Sequence, residues 1–162
     1  MTSRTQTPTL ASQEPMQVAR YLLRTRFSTP NKRNGLWFWR GNFYEWYGEC
    51  WKKREREWVE SALWVSLEDS MFSQATPTGQ RQTRYAPNIP KVQGVMRALQ
   101  AIQTLPHEKS PLWLTAPQTK DTRTLVSFTD RVMDAKTGES FLRDETFFDP
   151  HVIPCTFNPE AT

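Results

Sequence analysis

Eight aromatic side chains crowd the sixteen residues LWFWRGNFYEWYGECW, positions 36–51, and that density limits what the chain can fold into. Left exposed, the rings would form an apolar patch of a size soluble monomers avoid. Each buried ring removes ~150–250 Å² from water. At ~25 cal/mol per Å² this outweighs the ~1–3 kcal/mol of stacking on a nucleic-acid base. The tryptophans are therefore expected mainly in a core.

Gly41-Asn42 reads as a two-residue hairpin turn, because Gly tolerates the left-handed backbone of a primed turn. That turn sets Arg40 opposite Phe43, Trp39 opposite Tyr44, Phe38 opposite Glu45 and Trp37 opposite Trp46. A second turn at Gly48-Glu49 sets Tyr47 opposite Cys50, Trp46 opposite Trp51, Glu45 opposite Lys52 and Tyr44 opposite Lys53. Alternation then collects Trp37, Trp39, Tyr44, Trp46, Trp51 and Lys53 on one face. Leu36, Phe38, Arg40, Phe43, Glu45, Tyr47, Cys50 and Lys52 take the other, which reads as solvated. Trp39 and Tyr44, near the first tip, are the rings placed to meet a base.

Three helical patterns accompany the meander. Ser12 caps the first, with Pro15 in its first turn and Val18, Ala19, Leu22, Leu23 and Phe27 at helical spacing. Residues 55–72 form the second, whose stripe of Trp58, Val59, Ala62, Leu63, Val65, Leu67, Met71 and Phe72 is expected to cover the tryptophan face. Pro90 opens the third, carrying Val92, Val95, Met96, Leu99 and Ile102. Residues 73–88 are polar and read as a long basic loop with Arg81 and Arg84. "LWL" at 112–114 is a short strand or anchor. Val126, Phe128, Asp130 and Val132 alternate on one side of a strand ahead of a DAKTG turn. The expected fold is thus α+β: a small antiparallel meander against about three helices, with a C-terminal hairpin and an extended strap. Residues 1–11 read as a disordered leader, 12–145 as one domain and 146–162 as an extended linker.

Charge is uneven. Residues 1–60 hold eleven Lys/Arg against six Asp/Glu, and residues 61–162 hold ten against eleven, so the net +4 lies in the first part. A basic half suits a polyanionic partner. No apolar run reaches the ~20 residues a membrane span requires, and the start lacks the apolar centre of a secretory signal, so a cytoplasmic location is expected. Cys50 and Cys155 are too few for a disulfide framework or a four-ligand zinc site.

A search for chemistry is negative. There is no GxxxxGK[ST] loop, no GxSxG elbow and no HExxH pair. His107 and His151 lack a nucleophile or an orienting carboxylate at a telling spacing. Asp130 and Asp134 sit at different places on the expected strand and turn. No catalytic residue is expected.

The order of the pieces carries a resemblance. GNFYEWYGECW resembles the G-aromatic-Tyr-x-Trp-x-Gly hairpin that precedes the motor in phage and plasmid primase–helicases, a group that includes the poxvirus-type replicative helicases of superfamily three. PNIPKV with its helix, PLWL at 111–114, VSFTDRVMD and TFFDPHVIPCTFNPEA resemble that family's later elements in the correct order, departing at Asp130-Arg131 where the family has Asn-Gly. The resemblance implies a replication accessory domain lying before an ATP-dependent helicase motor, which guides DNA toward the ring, helps assemble the ring as a collar, or both. ATP and Mg²⁺ would belong to that motor, beyond Thr162. Priming activity is not expected to be attached, since a Met and a short leader stand where a primase domain would lie. The implied partners are DNA, single-stranded or forked, the motor domain, and copies of the same chain through the ring, in a bacterial, phage or mobile-element setting. Backbone contact is expected from Arg20, Arg24, Lys32, Arg33, Arg40, Lys52, Lys53 and Arg54. A second expectation is a protein-interaction module that docks a replication partner through the aromatic hairpin and strap.

Overall fold

The computed structural model describes residues 9–10, 12–77, 79–106, 110–115 and 120–158. Its elements run β1 (Thr9–Leu10), α1 (Pro15–Thr25), β2 (Leu36–Trp39), β3 (Asn42–Trp46), β4 (Trp51–Arg54), α2 (Arg56–Glu68), β5 (Met71–Thr76) and β6 (Gly79–Arg84). They continue with α3 (Ile89–Gln103), β7 (Leu112–Trp113), a 3-10 turn at Thr122–Thr124, β8 (Leu125–Ser127), β9 (Arg131–Asp134), β10 (Ser140–Leu142) and β11 (Phe147–Phe148). The fold is α+β, with three helices around several small sheets.

The aromatic run forms the antiparallel meander β2-β3-β4, but its first turn is Arg40-Gly41 rather than Gly41-Asn42. Both residues are left-handed, at φ 46° and 79°, as a primed two-residue turn demands. Asn42 Nδ2 donates to Arg40 O at 3.0 Å and steadies the turn. Pairing becomes Trp37 with Tyr44, Phe38 with Phe43 and Trp39 with Asn42. The slip is two residues, so every side chain keeps its expected face. The β3–β4 register, with Glu45 opposite Lys52 and Trp46 opposite Trp51, is the expected one.

What covers each face is the reverse of the sequence expectation. The helices lie on the Leu36–Phe38–Phe43 face, which had read as solvated, and bury it with Phe27, Val59, Leu63, Val95 and Leu99. Both α1 and α2 pack on α3. The tryptophan face is covered from the C-terminal side, where Trp39, Tyr44 and Trp51 enclose Phe148 together with Leu105, Leu112 and Leu114. Phe148 is completely buried, its ring 5.9, 5.5 and 5.6 Å from those of Trp39, Tyr44 and Trp51. Trp51 Nε1 donates to Phe147 O at 2.9 Å, so the indole nitrogen is satisfied inside the core. The meander is therefore the middle layer of three. The expected helix also stops early: α2 ends at Glu68, and Met71 and Phe72 begin β5.

Four further expectations change. The polar stretch read as a loop is the hairpin β5–β6, in flush register from Met71–Arg84 to Thr76–Gly79. Of the leader, Thr9 and Leu10 pair in parallel with β5 and Leu10 is buried, while residues 1–8 and 11 lie outside the described residues. Val126 and Val132 lie on opposite faces, because the chain turns between Phe128 and Arg131 and sets Val126 opposite Met133 and Ser127 opposite Val132. The linker expected at 146–162 begins as core: β11 pairs with β7. Beyond it Ile153 and Cys155 hydrogen-bond back to Ser127 and Thr129. Asp149, itself buried, accepts a 2.5 Å bond from Ser127 Oγ, and the buried Arg143 guanidinium donates to Phe128 O and Asp149 O. Burial pushes the Arg143 pKa down, while nearby Cys50 and Asp149 act the other way. Among the described residues, no helix is long and apolar enough to cross a membrane.

Candidate nucleic-acid interface

The eight expected cations do not form one patch. Arg20 and Arg24 lie four residues apart on the exposed side of α1. Arg40 occupies the β2–β3 turn, its guanidinium 4.5 Å from the centre of the Trp39 ring. Burial raises the pKa of the neighbouring Tyr44 phenol, and the Arg40 charge offsets part of that rise. Lys53 points to the tryptophan side of β4 and pairs with Glu55 at 3.7 Å.

Lys52 and Arg54 are brought together on the helix-facing side of β4. Their charged groups each lie 5.5 Å from the centre of the Tyr47 ring. Tyr47 is 66% exposed, which makes it an aromatic surface with cations beside it, the pairing that single-stranded nucleic acid favours. Arg54 is committed inward as well: it binds the Glu45 carboxylate at 2.7 Å and lies 4.3 Å from the Trp58 ring centre. Arg26, which the sequence reading passed over, joins the same group through Glu45 at 3.4 Å and Trp58 at 5.4 Å. Two cations thus bind one carboxylate, with Lys52 directly across the strand pair from it, and the balance of these four residues is positive. The signal for Arg26 was its position at the end of α1, four residues before the turn-forming Pro30.

Lys32 and Arg33 lie in the turn joining α1 to β2. Thr29 organises that turn: its N–H donates to Arg33 O, its carbonyl accepts from Lys32 N, and its hydroxyl accepts from Arg33 N at 3.1 Å. Lys32 is held at φ 59°, an uncommon conformation for a residue with a side chain. Gly35 closes the turn against Phe27, donating to its carbonyl at 2.7 Å, and a Cβ there would stand 2.9 Å from that oxygen. Both cations line a cleft of about 560 Å³ with Trp37, Leu114, Glu145 and Thr146.

The two cation groups share one end of the meander. Gly35 O accepts from Trp46 N, and Tyr47 follows directly. The α1–β2 turn feeds edge strand β2 and the β3–β4 turn feeds edge strand β4. Two strand spacings, roughly 10 Å, separate those edges. His151 lies against Trp39, 6.0 Å between ring centres, and His107 falls outside the described residues. Comparison of the chain with known protein families, with curated proteins and with solved structures returns no match.

Proposed function

We propose that the chain is a DNA-replication accessory domain of a phage or plasmid primase–helicase, which contacts the DNA backbone without regard to sequence. The observation that carries this reading is the shared end of the meander, where Lys32 and Arg33 stand beside the tryptophan face at one edge and Lys52, Arg54 and exposed Tyr47 stand on the helix-facing side at the other. The ordered motif resemblance supports the replication setting and an adjoining helicase ring built from copies of the parent chain; ATP and Mg²⁺ would serve that motor. Cations recruited to phosphates release condensed counterions, so attraction of this kind is sequence-independent and sensitive to salt. Docking of a replication partner through the aromatic hairpin and strap has less surface to work with, because Trp39, Tyr44, Trp51 and Phe148 are buried against one another.

The test is fluorescence anisotropy of a labelled single-stranded oligonucleotide across ~50–200 mM salt. Affinity is expected to fall steeply, and Lys32→Glu with Lys52→Glu is expected to flatten the log–log slope by roughly 0.7 per lost contact. Weak binding that does not change with salt contradicts the proposal.

A further inference from the structure

The cleft at the α1–β2 turn offers more than charge. Its acid, Glu145, is 6% exposed, yet it shares the cleft with two cations that reach toward solvent. Asn31 Nδ2 donates to its Oε1 at 2.7 Å, and Arg33 Nε lies 3.9 Å from the same oxygen. The other oxygen, Oε2, takes no hydrogen bond among the described residues. That oxygen is not sealed from solvent, and since a carboxylate only accepts, it is open to an N–H donor from whatever occupies the cleft. Half-buried Trp37 and Leu114 supply an apolar wall, and Lys32 forms no ion pair among the described residues. A volume of about 560 Å³ falls in the range of small-molecule sites.

Resting on the backbone-contact reading, we propose that the cleft takes one unpaired nucleobase of the bound DNA strand and selects bases that carry an exocyclic amino group. The base lies against Trp37 and Leu114, its flanking phosphate meets Lys32 and Arg33, and its amino group donates to Glu145 Oε2. Cytosine offers N4–H to that oxygen. Thymine offers only an N3–H set between two carbonyls, which face the carboxylate with like partial charge. Glu145 is thereby the specificity residue of an otherwise sequence-blind surface.

The probes are oligo(dC) and oligo(dT) of equal length, both weakly stacked, at pH 8 and fixed moderate salt. The native chain is expected to bind oligo(dC) roughly fivefold or more tightly. Glu145→Gln keeps the Oε1 acceptor for Asn31 and turns an amide N–H₂ toward the cleft, so the preference should vanish or invert toward oligo(dT), whose carbonyls accept. Lys32→Ala with Arg33→Ala should weaken both oligonucleotides by the same factor. Equal binding of the two by the native chain, with salt dependence intact, overturns the base site and leaves the backbone reading standing. A preference for oligo(dC) that survives Glu145→Gln in a folded variant places selection elsewhere and also overturns it. Binding of neither oligonucleotide overturns both readings.

Discussion

In the proposed site Lys32 is held at the fold's expense. Its left-handed backbone costs a residue with a Cβ roughly 1 kcal/mol, a cost glycine does not bear. Lys32→Gly is therefore expected to raise unfolding stability by roughly 0.5–1 kcal/mol in denaturant titration while weakening DNA binding. Loss of both stability and binding would mean that the side chain packs rather than binds. Glu45 shows the opposite balance. It is 12% exposed and neutralises Arg54 at 2.7 Å and Arg26 at 3.4 Å. Glu45→Ala leaves two cations facing each other, one of them half-buried, and should cost about 1–3 kcal/mol by the same titration. At this scale the sequence was partly legible. Face assignments in the meander survived a two-residue register slip because alternation depends only on odd and even positions. Charge alone marks Arg54 for phosphate contact, and charge does not reveal the Glu45 carboxylate on the neighbouring strand.

Among the elements, those with a strong period were legible and those held by tertiary pairing were not. The helices declared themselves through spacing and through Pro15 and Pro90 at their starts. The hairpin β5–β6 did not, since GQRQTR has no apolar alternation and its strands are joined by their backbone ladder and the Thr76 hydroxyl bond to Gly79 O. The last segment misled in the other direction: three prolines suggested a detached strap, yet Phe147 and Phe148 close the tryptophan core. Nothing local in FF says which face of which sheet it will fill. Phe148→Ala would empty a fully buried site among three rings and should destabilise by about 3–5 kcal/mol in denaturant unfolding. Further along, Asp130 Oδ1 accepts from Phe157 N at 2.8 Å, and this bond, ahead of Arg131 beside it, holds the carboxyl below its ordinary value. A depressed pKa contributes stability above the unfolded value near ~3.9 and loses it as pH falls through the folded one. The Phe157 amide shift in NMR should accordingly stay constant down to about pH 4 and titrate only below it. A midpoint above that would mean the clip is not formed in solution.

In the whole molecule, the meander is a middle layer with helices on one side and the C-terminal strands on the other. That arrangement withdraws both flat faces from solvent and leaves its ends for function. The sequence put the cations on a free reverse face of the sheet; in the structure helices cover that face, Lys52 and Arg54 stay on it beside Tyr47, and Lys32 and Arg33 stand in the α1–β2 turn at the same end of the meander. Which layer lands on which face is decided by contacts far apart in the chain, such as Trp51 with Phe147, and no local pattern encodes that choice. The most direct measurement is an amide-resolved NMR titration of the chain with a short single-stranded oligonucleotide at low salt. Shifts concentrated at Lys32, Arg33, Tyr47 and Lys52, reversed by added salt, are the predicted result. An unchanged spectrum, or shifts confined to the β5–β6 hairpin and the outer side of α1, would contradict it.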